Sequence, residues 1–169
     1  MRQIIKIVHS NYYYDEVIKD MLEYAQKKLY AHQLVITGVP GSFEIPFEIA
    51  RSIKEDTEDK VYPSFKEKGK KEIRDNIVQM AKLSQLNINQ GIFSGYLALG
   101  CIIKGKTINH EAISTSIFTN LQRISIEHVV PIGNGIFNAN NLEEAKKKYM
   151  KCTQQALQVL EQLLISKEK

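Results

Sequence analysis

The sequence predicts an α/β protein, a three-layer αβα sandwich on a four-stranded, mostly parallel sheet. Three observations predict it. Strand-like and helix-like stretches alternate four times along the chain, the pattern of successive βα units. Residues 97–103, Leu-Ala-Leu-Gly-Cys-Ile-Ile, are apolar almost without interruption, as in a strand covered on both faces. The unusual loops, at 11–14, 40–44, 105–110 and 133–135, all read as lying at carboxyl ends of strands, where ligands bind in such sheets.

The chain has 169 residues, enough for one domain of ordinary size, 1–169. Its 43% hydrophobic and 25% charged residues place it among globular proteins. No apolar run approaches the roughly 20 residues of a membrane span. The N-terminal stretch reads as a strand and is too short for a signal peptide. The two cysteines, Cys101 and Cys152, have no metal-ligand spacing and are expected as free thiols in a reducing cytoplasm. A net charge of +4 is too mild to imply nucleic acid.

The first strand is expected over residues 3–9. Asp15 and Glu16 then open a helix, where the dipole favours acidic residues, and Ile18, Leu22, Ala25 and Leu29 form its apolar face. Three consecutive tyrosines, Tyr12, Tyr13 and Tyr14, fill the intervening turn. They either pack on a neighbouring element or subunit, or stack on a ligand.

Residues 33–37 form the second strand, ending at Val39-Pro40-Gly41-Ser42-Phe43-Glu44-Ile45-Pro46. Pro40-Gly41 makes a turn, Ser42 is a helix N-cap, and Pro46 fits only a first helical turn. Ile49, Ala50 and Ile53 continue the helix. Glu44 therefore sits at the top of the sheet, either as a capping carboxylate or as an acceptor for a polyhydroxy or amide ligand. Residues at about 55–90 break the rhythm and read as a charged insertion, with Ile73, Ile77 and Met80 suggesting a short amphipathic helix. Its lysines lack the aromatic interleaving of a nucleic-acid surface.

The buried third strand leads to Gly105, which frees the backbone, and then to Lys106 and Thr107. A helix follows with Ile113, Ile117 and Leu121 on one face. Strand, tight turn and helix start make an anion site, because first-turn N–H groups have no partners within the helix. The alternative is an ordinary βα turn. The fourth strand is expected at 127–132, with Pro131 marking an edge and 133–135 breaking it. The last helix runs from about 142 to 165, with Ala145, Tyr149, Ala156, Leu160 and Leu163 on one face.

Three of these stretches together resemble the lumazine synthase family. Residues 39–46 are similar to its Val-Pro-Gly-Ala-Phe-Glu-Ile-Pro motif, and residues 98–107 to its Ala-Leu-Gly-x-Val-Ile-Arg-Gly-x-Thr motif. Residues 131–136 are similar to the strand segment before its last helix. The resemblance covers nearly the whole chain outside the insertion. It implies a flavodoxin-like sheet and a transferase of riboflavin biosynthesis. That reaction joins 5-amino-6-(D-ribitylamino)uracil to 3,4-dihydroxy-2-butanone 4-phosphate, giving 6,7-dimethyl-8-ribityllumazine, with no metal and no organic cofactor. It also implies a homo-oligomer, a pentamer or a multiple of one, with sites between subunits.

The resemblance further implies residue roles. Tyr12 or Tyr13 stacks on the pyrimidine; Ser42, Phe43 and Glu44 hold the ribityl chain; the backbone of Cys101, Ile102 and Ile103 reads the uracil edge. Asn134 lines the pocket from the neighbouring subunit. Lys106 and Thr107 bind phosphate, and Lys148 stands where the family has a phosphate-binding arginine, supplying charge without the bidentate fork.

The chain departs from the family at the catalytic histidine. Where the family reads Gly-x-Thr-x-His-aromatic-acid, this chain reads Gly105-Lys106-Thr107-Ile108-Asn109-His110-Glu111. Asn109 falls on the histidine's position and Glu111 on the acid's. Adjacent helical residues point about 100° apart, so either His110 transfers the proton from an altered turn or Asn109 occupies the site. The alternatives to an enzyme are a catalytically weak paralogue that binds a ribityl or flavin-like ligand, and a shell-forming structural protein.

Overall fold

The computed structural model describes residues 3–61, 92–105 and 109–166. Four strands, β1 (Ile4–Ser10), β2 (Gln33–Val39), β3 (Gly95–Ile103) and β4 (Ile132–Ala139), alternate with helices α1 (Lys19–Lys28), α2 (Ile45–Val61), α3 (Asn109–His128) and α4 (Leu142–Ser166). The sheet order is β2-β1-β3-β4 and every pairing is parallel. All four carboxyl ends therefore emerge on one side.

Alternation along the strands divides the core into two layers. Ile5, Ile7, Leu97, Leu99, Cys101 and Phe137 face α1 and α4, meeting Met21, Ala25, Ala156 and Leu160. Val8, Tyr96, Ala98, Ile102 and Ile136 face α2 and α3, meeting Ile45, Ile49, Ile117 and Leu121. The α1 face expected from Ile18, Leu22, Ala25 and Leu29 is buried as read.

Other boundaries differ from the expectation. Residues 127 and 128 end α3, and β4 runs through the glycine stretch that was expected to break it. Those glycines make room for α4. A Cβ on Gly133 would stand 2.5 Å from the Ala156 carbonyl oxygen, and one on Gly135 would stand 2.9 Å from Leu99 Cδ2. The edge position holds among the described strands, since β4 borders the sheet with Pro131 just before it. On α4 the buried residue near the end is Leu164, and Leu163 is exposed. Helix α2 extends to Val61, so the expected insertion begins within a helix. The rest of it, with Ile73, Ile77 and Met80, lies outside the described residues.

A buried ionic group that the sequence reading missed lies between β1 and α2. Lys6 Nζ donates to Glu48 Oε1 at 2.8 Å and also to the Ser52 hydroxyl, and it stands 5.5 Å from the Phe93 ring centroid. Arg51 closes on the same carboxylate, with Nε 3.0 Å and Nη2 2.8 Å from Oε2. Burial pushes the Glu48 carboxyl up, but the hydrogen bonds from Lys6 and Arg51 outweigh it and hold the group below its ordinary value.

Helix α3 ends in a Schellman turn. Val130 N–H donates to the Ser125 carbonyl at 3.1 Å, Val129 N–H to that of Ile126 at 3.4 Å, and Val129 adopts φ 49°. Glycine usually takes that position, because a branched side chain is strained there.

Candidate functional site

The candidate site residues lie chiefly on the chain that follows the carboxyl ends of β1, β2 and β3. After β1, the Tyr12 N–H donates to the buried Ser10 hydroxyl at 3.0 Å, and Asn11 N–H donates to the Val39 carbonyl at 2.8 Å, tying this loop to the end of β2. Tyr13 turns the chain in the left-handed region, φ 58° and ψ 34°. Its carbonyl collects the N–H groups of Val17 and Ile18 in a π-helical turn, Tyr14–Ile18, so the acidic pair Asp15-Glu16 lies in this turn ahead of α1.

The turn separates the three tyrosines. Tyr13 and Tyr14 pack on the core beside α1, Tyr14 against His9 at 5.5 Å between ring centroids. Tyr12 is left 64% exposed, edge-on to Tyr13 at 4.9 Å. Burial, then the neighbouring Tyr12, Cys101 and Glu16, raises the Tyr13 phenol above its ordinary value. Gly38, at the end of β2, leaves room for Asn11, since a Cβ there would stand 2.6 Å from Asn11 Oδ1.

After β2, the chain passes Pro40-Gly41 into a short 3₁₀ turn, Ser42–Glu44, and then α2, with Pro46 in its first turn. Ser42 makes no side-chain cap, contrary to expectation. Its buried hydroxyl instead donates across the sheet to the Cys101 carbonyl at 3.5 Å. Phe43 is exposed and Glu44 half-buried beside it. Phe43 also borders a groove of about 360 Å³ between α2 and α3, lined by Phe47, Ile117, Asn120 and Arg123.

After β3, the Lys104 N–H donates to the Ala139 carbonyl at 2.9 Å, which holds β3 and β4 together to their ends. The Cys101 side chain points into the core and burial pushes its thiol up to about 12, which leaves the thiol unreactive. No described glycine uses a positive φ, Gly105 included, and a side chain there would meet nothing within 4 Å. The expected backbone freedom at Gly105 is therefore not used. Lys106 and Thr107 lie outside the described residues.

Helix α3 is described from Asn109 onward. Its buried stripe is Ser114, Ile117, Leu121 and Ile124, and His110 continues that stripe upward at i, i+4 and i+7 spacing. The His110 side chain is 12% exposed, whereas that of Glu111 is 74% exposed, with 3.8 Å between Nε2 and Oε1. Asn109 is exposed. The inward residue at the top of α3 is therefore His110.

Two expected residues do not join this cluster. Asn134 pairs in register with Ala98, well before the strand ends, and its Oδ1 accepts the Ile136 N–H at 3.0 Å. Lys148, on α4, is exposed and ion-paired to Glu144. Among the described residues no group of three or more His, Cys, Asp or Glu is placed to hold a metal, and no helix is long and apolar enough to cross a membrane. Sequence reading missed Ser10, Ser114 and Asn138; the Ser114–Asn138 contact joins residues 24 positions apart and has no local signature.

The architecture defines the class: a parallel three-layer α/β protein, of the kind in which ligands bind across the carboxyl ends of the strands. The sequence pattern of the 6,7-dimethyl-8-ribityllumazine synthase family matches residues 68–165. A protein of that name from Afipia carboxidovorans is 30% identical over 135 residues, 79% of this chain and 64% of that relative. The namesake from Rhodopseudomonas palustris is 29% identical over the same lengths, and one from Blochmanniella pennsylvanica is 36% identical over 80 residues, 44% of this chain and 51% of the relative. The match thus spans less than two thirds of these relatives. The chain belongs to the 6,7-dimethyl-8-ribityllumazine synthase family.

Proposed function

We propose that the protein is a lumazine synthase, condensing 5-amino-6-(D-ribitylamino)uracil with 3,4-dihydroxy-2-butanone 4-phosphate to 6,7-dimethyl-8-ribityllumazine, phosphate and water. The observation that supports this most is the Ser42–Cys101 hydrogen bond, which joins the two family-like motifs across the strand ends. In this reading Tyr12 offers the stacking face, with Tyr13 as its edge-on support. Ser42, Phe43 and Glu44 meet the ribityl chain, and the backbone of Cys101, Ile102 and Ile103 meets the pyrimidine edge. Lys106 and Thr107 take the phosphate, and Lys148, which lies off its own protomer's cluster, adds its charge from a neighbouring subunit. Asn134, remote from its own protomer's strand ends, lines a neighbouring site in a homo-oligomer, a pentamer or a multiple of one. The enzyme works in the cytoplasm without metal or organic cofactor.

The reaction forms an imine between amine and ketone, eliminates phosphate, and closes the ring with loss of water. Each step moves protons, and histidine is suited to do so in both directions near neutral pH. The inward position of His110 on α3 supports it as that group, with Glu111 beside it. The substrates are reactive already, so holding them together supplies much of the acceleration.

The test is to mix the purified protein with both substrates and follow lumazine fluorescence against an enzyme-free blank. A rate above the blank is expected. No excess rate, with the ribitylaminouracil still bound, would sink the enzyme reading in favour of a ligand-binding or shell-forming relative, in which Asn109 at the family's histidine position is the decisive change.

A further inference from the structure

We propose that Ser114 and Asn138 are positioning residues that lock the first turn of α3 to the end of β4 and so aim His110 at the strand-end site; this rests on the reading of His110 as the proton-transfer group. The Ser114 side chain is buried one turn below His110 on the same stripe. Its Oγ stands 2.6 Å from the His110 carbonyl oxygen and 2.7 Å from Asn138 Oδ1. The hydroxyl has one proton for these two acceptors and shares it between them.

The second contact is the informative one. A serine bonded only to the carbonyl four residues earlier serves its own helix and tends to bend it. Adding Asn138 carries the link from helix to sheet. Asn138 pairs in register with Ile102, so the clamp reaches the β3 segment proposed to meet the pyrimidine. Lower on α3, Ile117, Leu121 and Ile124 already fix the helix by apolar packing. The polar clamp acts at the turn that carries His110, above this apolar packing. A small misalignment of a proton-transfer group is enough to slow a reaction substantially.

The experiment uses the full chain and three substitutions. Asn138→Ala removes the acceptor from an exposed strand-end position without opening the core. Asn138→Asp keeps an acceptor for the hydroxyl. His110→Ala provides the background in which a residue acting through His110 has nothing left to aim. Amide hydrogen exchange over residues 113–117, whose N–H groups bond to the carbonyls of that first turn, is measured alongside steady-state turnover. For Asn138→Ala the expected result is faster exchange confined to that first turn, and a kcat about tenfold lower with KM for the ribitylaminouracil unchanged. Asn138→Asp is expected to restore most of the rate, and Asn138→Ala to have no further effect on top of His110→Ala. Unchanged exchange in the first turn overturns the proposal. So does a rate loss of equal size with and without His110, which would make Asn138 merely structural. A wild-type protein with no turnover defeats the functional reading, and the exchange result then reports on the clamp by itself.

Discussion

The Ser42 hydroxyl and the Cys101 carbonyl oxygen stand 3.5 Å apart, and Gly100 is what admits the contact. A Cβ on Gly100 would stand 2.6 Å from Ser42 Oγ and 3.2 Å from Ser42 Cβ. Gly100→Ala is therefore expected to push the 3₁₀ turn off the sheet. Overpacking of this kind costs about 1–3 kcal/mol, readable as a lower thermal midpoint. Ligand binding at the strand ends should fall with it. An unchanged midpoint with intact binding would mean that the turn is not fixed by this contact.

His110→Ala and Asn109→Ala separate the two residues at the head of α3. A general acid–base group contributes about 10²–10⁴ in rate. Loss of His110 is expected to lower kcat within that range, and loss of the exposed Asn109 to change it far less. Single-turnover kinetics would read both; the reverse ranking would put the active position back at Asn109.

Val129→Gly is expected to stabilise the protein. The left-handed conformation strains a side-chain-bearing residue by roughly 1–2 kcal/mol, and glycine gives back part of that through unfolded-state entropy. Val129 is 68% exposed, so little packing is lost. A net gain of about 0.5–1 kcal/mol should appear as a higher urea midpoint at constant slope.

Lys6→Met leaves the Glu48 carboxylate buried and still paired to Arg51. Breaking a buried pair typically costs about 3–5 kcal/mol, and the retained Arg51 places the expectation at the lower end. The sign with pH follows from the direction of the shift. The folded Glu48 carboxyl lies below its ordinary value, so its contribution is present above that value and is lost as pH falls through the folded pKa. Without Lys6, burial gains weight and acid unfolding should begin at higher pH. Denaturation followed by circular dichroism from neutral pH downward would show it.

Glu144 makes a local version of the same argument. Its side chain pairs with Lys148, and Oε2 accepts the Asn140 N–H at 2.9 Å and the Asn140 amide at 2.7 Å. The Glu144 N–H in turn donates to Asn141 Oδ1 at 2.9 Å, a reciprocal cap on α4. Lys148 first, then Asn140, lowers the carboxyl from 4.5 to about 2. The cap's contribution is thus present above 4.5 and disappears as pH falls toward about 2. Amide exchange at the start of α4 should accelerate across that window, and Glu144→Gln should flatten the dependence.

What was legible in the sequence was what periodicity carries. The strand–helix alternation, the two-sided burial of β3 and the inward face of α1 all follow from apolar spacing. The end of α3 was not legible. Val129 and Val130 read as strand by their branched side chains, while the backbone uses Val129 to close a Schellman turn. The 133–135 glycines read as a break because glycine is a turn residue, yet here they are the flat part of a strand under α4. At the site, motif order located the strand ends, but hydrogen bonds between residues far apart in sequence, such as Lys6 to Glu48 and Ser114 to Asn138, leave no local trace. The orientation of His110 emerged only when the start of α3 fixed which residue shares a stripe with Ser114.

The β1–β3 pairing has a consequence for how the chain finds its fold. Ile5 lies against Gly95, about 90 positions away along the backbone. Loop-closure entropy grows only logarithmically, so deleting 30 intervening residues would relieve about 0.4 kcal/mol. That entropic part of the stability is therefore almost indifferent to the length of chain between the two strands. The folding rate is not, because a parallel pairing between distant strands must search for its partner before any contact rewards it.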